Sequence, residues 1–564
     1  MINKVELGSV NSKYKSTPIS QNRSLKQPSF TGGTNWVLKG IQKCEESPML
    51  NVAVLDLATA IIPRTIFETF IGSKQKDENG NDTGERKLNI LGGFEALRRE
   101  GSGLLINCII PSFVVYGLAK VLQKPVMGMF KDSSLANSWA NSDTIDQVEK
   151  YYKAASGANK EDRMFNTLKS MFDDLEGVDG DVSKGGLKRF RDIFANDDQY
   201  TQALRNMAKN IVSDKPTKGY ASEVYQYMVQ KGGIAENIRF IGDKGFFSSS
   251  LSHLCESAGD LLHGVHKEGD KVLDPSLLSQ YLTKARNLVN VKSVAGLAVI
   301  IPLAIAAQPI NRWITHKMAG KKGAPIYNDD REHVLNEDEK KKLTAKKFVA
   351  VPAMWAVAGL SMLMDRPSLK MFQFKNIFPT MDQARIISAA TFSSRLAAAE
   401  DGNELAENTI RDIATFSSFY FLGDYVAKGV ATAIENNNVD GIKLINRLKD
   451  PKEGANVFER FWHWAKHTKM KSTDELMAIS DVAKRTKAKN LRAVCQLSNM
   501  AFSLLSLGVV IPLYTRTQTN KKQRQEAARL AALNADPRTT QTGSTTFTQN
   551  LIKGNAGTFQ SFFS

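Results

Sequence analysis

Apolar positions along this chain are gathered into long uncharged runs rather than spread in amphipathic stripes. Four runs lack Asp, Glu, Lys and Arg altogether: Gly101–Ala119, Ser293–Asn311, Phe348–Met364 and Ala493–Thr515, of 19, 19, 17 and 23 residues. A helix needs about 20 apolar residues to cross a bilayer, and a soluble core helix seldom runs that far without a charge. The pattern predicts an all-α, multi-pass membrane protein with four spans and helical extramembrane blocks between them.

Two apolar segments are weaker. Residues 47–71 carry Asp56, Arg64 and Glu68 at i, i+8 and i+12, along one helical face. Arg64 and Glu68 are spaced for an i,i+4 pair. One charge at a bilayer centre costs about 2.5–3.5 kcal/mol on insertion scales, so this segment is expected to be interfacial or packed against protein. The second segment, within 408–434, holds only 11 uncharged residues between Asp412 and Asp424, too few to cross alone.

These runs divide the chain. Residues 1–46 read as a disordered polar arm, and 47–122 as an amphipathic helix followed by the first span. A helical extramembrane domain follows at 123–290, broken by Gly, Asp and Ser clusters, with little strand-like alternation. Residues 291–364 hold the second and third spans with a basic loop, 365–490 a second helical block, and 491–516 the fourth span. The tail, 517–564, is basic and then low in complexity, and is expected to be disordered.

Two spans resemble each other. Residues 297–303 (LAVIIPL) and 507–513 (LGVVIPL) agree at five of seven positions, and 283–288 (TKARNL) matches 486–491 (TKAKNL) at five of six. The offsets, 210 and 203, differ by seven residues, which is two helical turns and restores the same face to within about 20°. An internal duplication accounts for both matches and requires the two spans to run in the same direction.

Charge sets the orientation. Lys and Arg outnumber Asp and Glu by 75 to 58, and ten of the basic residues fall between Arg312 and Lys347. Short basic loops stay cytoplasmic. Four spans then alternate with both termini in the cytoplasm, blocks 120–292 and 365–492 outside, and the chain in the cytoplasmic membrane. The same excess suits an anionic lipid surface, and no motif indicates specific nucleic-acid binding. The four cysteines, Cys44, Cys108, Cys255 and Cys495, have no paired spacing and indicate no disulfide framework.

Candidate chemistry is sparse. An Ile-Pro or Val-Pro pair falls inside every span, at Pro111, Pro302, Pro352 and Pro512, and predicts helix kinks. Such kinks serve either a gating hinge or simple packing. Asp56, Arg64 and Asp424 are candidates for proton or ion coupling where the bundle encloses them, and ordinary solvated charges elsewhere. His253, Glu256 and His263 share a helical stripe, and His463 and His467 stand at i,i+4. Neither set has a complete metal-ligand pattern, because residues seven apart on a straight helix cannot converge on one ion and the H-E-x-x-H order is missing. Trp462 and Trp464 among basic residues suit a helix lying on a membrane surface. No phosphate-binding loop, dinucleotide fingerprint, nucleophile elbow or kinase signature occurs, so no cofactor or metal is expected and the chain reads as non-enzymatic.

The leading expectation is an integral membrane scaffold or assembly protein whose polar blocks contact other proteins. One alternative is a small-solute or ion transporter built on the duplicated Pro-kinked spans. Another is a secreted protein that inserts into a membrane. Nothing in the sequence sets the oligomeric state.

Overall fold

The computed structural model describes most of residues 48–517. Residues 1–47, 71–73, 77–81, 123–139, 247–249, 268–274, 320–336, 365–371, 375–378, 438–440, 451–453, those after 517 and scattered single positions lie outside the description. The expected arm, the tail, most of the basic loop and Pro512 fall in those stretches.

The described residues are mostly helical. Seven long helices form one bundle: α1 (48–70), α2 (90–122), α3 (Pro275–Ala319), α4 (Glu337–Met364), α5 (Met381–Ala397), α6 (402–436) and α7 (482–510). Four of them, α2, α3, α4 and α7, are long and apolar enough to cross a membrane. They contain the first three uncharged runs and residues 493–510 of the fourth. Only 22–39% of their most apolar windows is buried, so most of this oily surface faces out of the bundle.

The other three helices carry charge and pack among these four. α5 is buried along its whole inner length, from Gln383 to Leu396, against α2, α3, α4 and α6. Its start is fixed by a capping box in which Thr380 accepts from the Gln383 amide while the Gln383 side chain accepts from the Thr380 amide. Small residues let its neighbours approach closely.

Cross-contacts set the direction of each helix. α1 and α2 are antiparallel: Gly93 lies against Thr69 and Thr65, Arg64 meets Glu100, and residues 48–56 lie beside 105–109. An antiparallel pair of strands, Lys74–Lys76 and Asp82–Arg86, joins them. The start of α2 meets the end of α3 through Glu95 and Thr315, whereas its second half meets Gly296, near the middle of α3. At the same end, Arg312 reaches Glu400 and Glu404, and Lys346 lies near Gly402. The opposite end joins Phe374 to Ser293 and Gln373 to Ser142. Successive helices therefore alternate in direction.

This bundle departs from the four-span layout in parity. With seven alternating helices, the start of α1 and the end of α7 stand at opposite ends, whereas four crossings would bring them together. α3 and α7 still run parallel, as the repeat requires, because α5 and α6 enter as a pair between α4 and α7. The two repeat copies differ locally. Residues 297–303 are α-helical, and 504–510 form a π-helical stretch.

Of the four π-helical stretches among the described residues, Leu57–Ile61, Leu105–Ile109 and Leu504–Val510 each end two residues before a proline, at 63, 111 and 512, whereas Ser418–Leu422 in α6 has no proline nearby. Proline leaves the carbonyl four residues back without its amide partner, and a wider turn accommodates that loss. Pro302 and Pro352 instead sit within continuous α-helix.

A polar body caps one end of the bundle. Helices Ser142–Ala154, Lys160–Asp173, Asp198–Ile211, Tyr220–Gly232 and Leu251–Lys267 enclose a core that includes Tyr152, Phe172, Tyr200 and Phe240. Strand Leu175–Val178 lies at the centre of a small antiparallel sheet, between Leu187–Arg189 and Ile238–Phe240. The first turns of α3 complete the core with Leu278, Leu282 and Leu288. α3 thus runs unbroken across residue 290, where the domain boundary was expected.

Part of the second polar block docks onto this body. Asn446 accepts from the Gly180 amide at 2.8 Å, and the Arg447 amide donates to the Gly180 carbonyl at 2.7 Å. Lys471 pairs with Asp179, Asp474 accepts from Tyr225, and Glu475 accepts from the amides of Ala235 and Glu236. Gly180 adopts φ +96°, which favours glycine. Block 365–490 therefore has two parts, 381–436 in the bundle and 442–479 on the polar body.

Candidate functional site

Charged side chains in the bundle converge on one cavity. It has a volume of about 100 Å³ and lies between α1, α2, α5, α6 and α7. A single water needs about 10–15 Å³, so several waters or one small molecule fit. Each helix contributes through a local feature. α1 supplies Asp56 and Arg64, two turns apart on one face, with its π-helical stretch between them. α2 supplies Glu100, the residue before its uncharged run, and Gly103. α5 contributes Ser388 and Arg395, α6 contributes Glu407 and Arg411 at i,i+4, and α7 contributes Leu507 and Gly508.

An ion-pair network braces one wall. Glu100 joins Arg64 at 2.7 Å and Arg395 at 3.1 Å. Arg395, 3% exposed, reaches Asp412 at 2.9 Å, and Arg411 approaches the same carboxylate oxygen at 3.2 Å. Asp412 is wholly buried, and its second oxygen has no partner among the described residues. Pairing makes such burial tolerable, because an isolated charge in a low-dielectric interior is very costly. Another part of the wall is neutral and polar: Ser388 and Tyr420 share a 2.7 Å hydrogen bond, and Asn107 accepts from Thr391, behind it, at 3.1 Å.

The sequence candidates are distributed unevenly. Asp56 and Arg64 both line the cavity, and Arg64 pairs with Glu100 at 2.7 Å; the Glu68 side chain lies outside the described residues. Asp424 lies elsewhere; it is half-exposed and pairs with Lys428 at 2.5 Å along α6. Glu100, Arg395, Glu407 and Arg411 were not singled out from sequence. The signals available were a carboxylate abutting an uncharged run and two arginines, Arg385 and Arg395, in a stretch rich in Ala and Ser.

The metal candidates stand apart from the cavity. His253, Glu256 and His263 lie on Leu251–Lys267, and the His263 Nδ1 is 2.8 Å from the Ile211 carbonyl. Burial raises the Glu256 carboxyl above its usual range. The rings of His463 and His467 are 4.5 Å apart. Burial, then the His463 ring and nearby lysines, hold the His467 imidazole down at about 4. Among the described residues no three His, Cys, Asp or Glu side chains are grouped to hold a metal ion.

Comparison with known proteins returned no match to any protein family, curated protein or solved structure. The functional reading therefore rests on the cavity and its surroundings.

Proposed function

We propose that this is a multi-pass membrane protein whose bundle holds a small polar solute in a charged cavity, as a carrier or coupled transporter. One observation carries the reading. A bundle with an oily exterior encloses a cavity lined by Asp56, Arg64, Glu100, Arg395, Glu407 and Arg411. Charges inside a membrane bundle are costly, and they characteristically mark solute paths or proton relays. Pro-associated π-helical stretches in α1, α2 and α7 add deformable points along the cavity walls. The basic segment after α3 suits the cytoplasmic side, which puts the polar body on the other face.

Water access tests the reading. A Cβ built at Gly103 meets nothing within 4 Å, so Gly103→Cys fits the cavity without a clash. In a background lacking the four native cysteines, a membrane-impermeant thiol reagent is expected to label Gly103→Cys in sealed vesicles. Val349→Cys, whose native side chain is 71% exposed on the apolar face of α4, is expected to resist labelling. Equal resistance at both positions would remove the aqueous cavity and the transport reading with it.

A scaffold role is the second reading, supported by the separately cored polar body and the docking of 442–479 onto it. Under that reading Asp56→Asn leaves partner capture and cell phenotype intact. Loss of solute uptake in that variant with partner capture unchanged would exclude it as the main role.

A further inference from the structure

We propose that the solute held in the cavity is a small zwitterion, with a carboxylate and an ammonium on one short skeleton. The inference rests on the solute-binding reading and specifies its substrate class. It follows from which groups on the cavity wall are already satisfied.

On the basic side, Arg64 uses one terminal nitrogen on Glu100, and its Nε and second terminal nitrogen have no hydrogen-bond partner among the described residues. Arg411 uses Nε on Asp412 and one terminal nitrogen on Asn408, leaving its other terminal nitrogen open. The Arg395 Nε is buried and likewise unpartnered. The network Arg64–Glu100–Arg395–Asp412–Arg411 contains three guanidiniums and two carboxylates, so it carries an excess positive charge.

On the acidic side, Asp56 and Glu407 line the same cavity and make no hydrogen bond or ion pair among the described residues. Both carboxylates are therefore free to accept. Leaving such groups unmet in a low-dielectric site is costly, and a hydrogen-bonded charge is worth more there than in water.

Each simpler ligand leaves part of this wall unsatisfied. A lone anion meets the spare guanidinium N–H groups and is repelled by Asp56 and Glu407. A lone cation meets the carboxylates and leaves the arginines as they were. A molecule with both charges satisfies both, its carboxylate toward Arg64 or Arg411 and its ammonium toward Asp56 or Glu407. The cavity volume limits the skeleton to a few heavy atoms.

Thermal shift and calorimetry on the full-length protein in detergent test this. The probes are glycine, β-alanine and 4-aminobutyrate, which space the two charges at different lengths, together with acetate and methylammonium as the separate halves. At least one zwitterion is expected to bind and raise the melting temperature at concentrations where neither half does. Asp56→Asn and Arg411→Gln are each expected to weaken that binding at least tenfold. Should Asp56→Asn not fold, Glu407→Gln provides the same test.

Acetate or methylammonium binding as well as the zwitterions would overturn the inference while leaving the solute cavity in place. No binding of any probe by a protein whose Gly103→Cys variant labels from water would also overturn it. Failure of that labelling removes the cavity reading itself, so the two failures are distinguishable.

Discussion

At the scale of single residues, the bundle is organised by Arg395. It is 3% exposed and bridges Glu100 and Asp412, so its removal leaves Glu100 with Arg64 alone and the wholly buried Asp412 with Arg411 alone. Breaking one partner of a buried pair typically costs about 3–5 kcal/mol, whereas replacing both partners with apolar groups costs far less. Arg395→Met is therefore expected to lower stability by about that amount in detergent unfolding. Arg395→Met combined with Asp412→Leu should recover much of the loss. A double variant no better than the single one would show that packing, not charge, sets the cost.

Asp179 provides the corresponding test on the polar body. Burial pushes its carboxyl up, but Lys471 and Lys188 outweigh that and hold it below the usual range. A depressed carboxylate contributes stability at pH above its unfolded value and loses it as pH falls through the folded value. Docking of 442–479 on the polar body should accordingly weaken below about pH 4. Thermal unfolding followed from neutral pH into acid is expected to show this slope in the natural chain and a flatter one in Asp179→Asn.

At the scale of elements, close helix approach depends on glycine at specific points. A Cβ at Gly423 would come within 2.1 Å of the Asn499 side chain, across the α6–α7 contact. Gly423→Val must part these helices and is expected to cost about 1–3 kcal/mol. Gly429→Val on the same helix, where an added Cβ meets nothing within 4 Å, is the control. Equal loss of melting temperature in both variants would attribute the effect to glycine in a helix rather than to the contact.

The element scale is also where sequence reading succeeded and failed for a physical reason. The four apolar helices were legible because each contains an uncharged run of about the length a bilayer would demand, a signal written in the local sequence. α5 was not legible. Its surroundings are protein, so it keeps Arg385, Arg395 and several serines, with Asp382 and the Tyr420 carbonyl as partners for Arg385. Residues 48–70 were read as interfacial or packed against protein; in the structure they pack on α2 and α7. Two of the six charged residues that line the cavity, Asp56 and Arg64, were visible in the sequence. The rest comes from α2, α5 and α6, whose approach to α1 no local pattern encodes. Asp424 illustrates the same limit, since an acidic residue beside an apolar piece looks identical whether it faces a cavity or solvent.

At the scale of the whole molecule, the odd number of alternating helices makes a prediction that an even number does not. An epitope inserted ahead of α1 should report from the same membrane face as Gly185, which lies open on the polar body. Lys340, exposed near the start of α4, should report from the opposite face. Protease protection in sealed vesicles of known orientation reads all three sites. An epitope that shares the Lys340 face would mean that α1 does not cross and would restore the four-span layout.

One further consequence belongs to α3. Its 45 residues amount to about 67 Å of helix, seated at one end in the core beneath the polar body and at the other beside Glu95 and Glu404. A rod held at both ends acts as a lever. Leaning it by about 5° carries one tip sideways by roughly 6 Å relative to the other at that length, so whatever grips the cap from outside also tugs on α2 and α5.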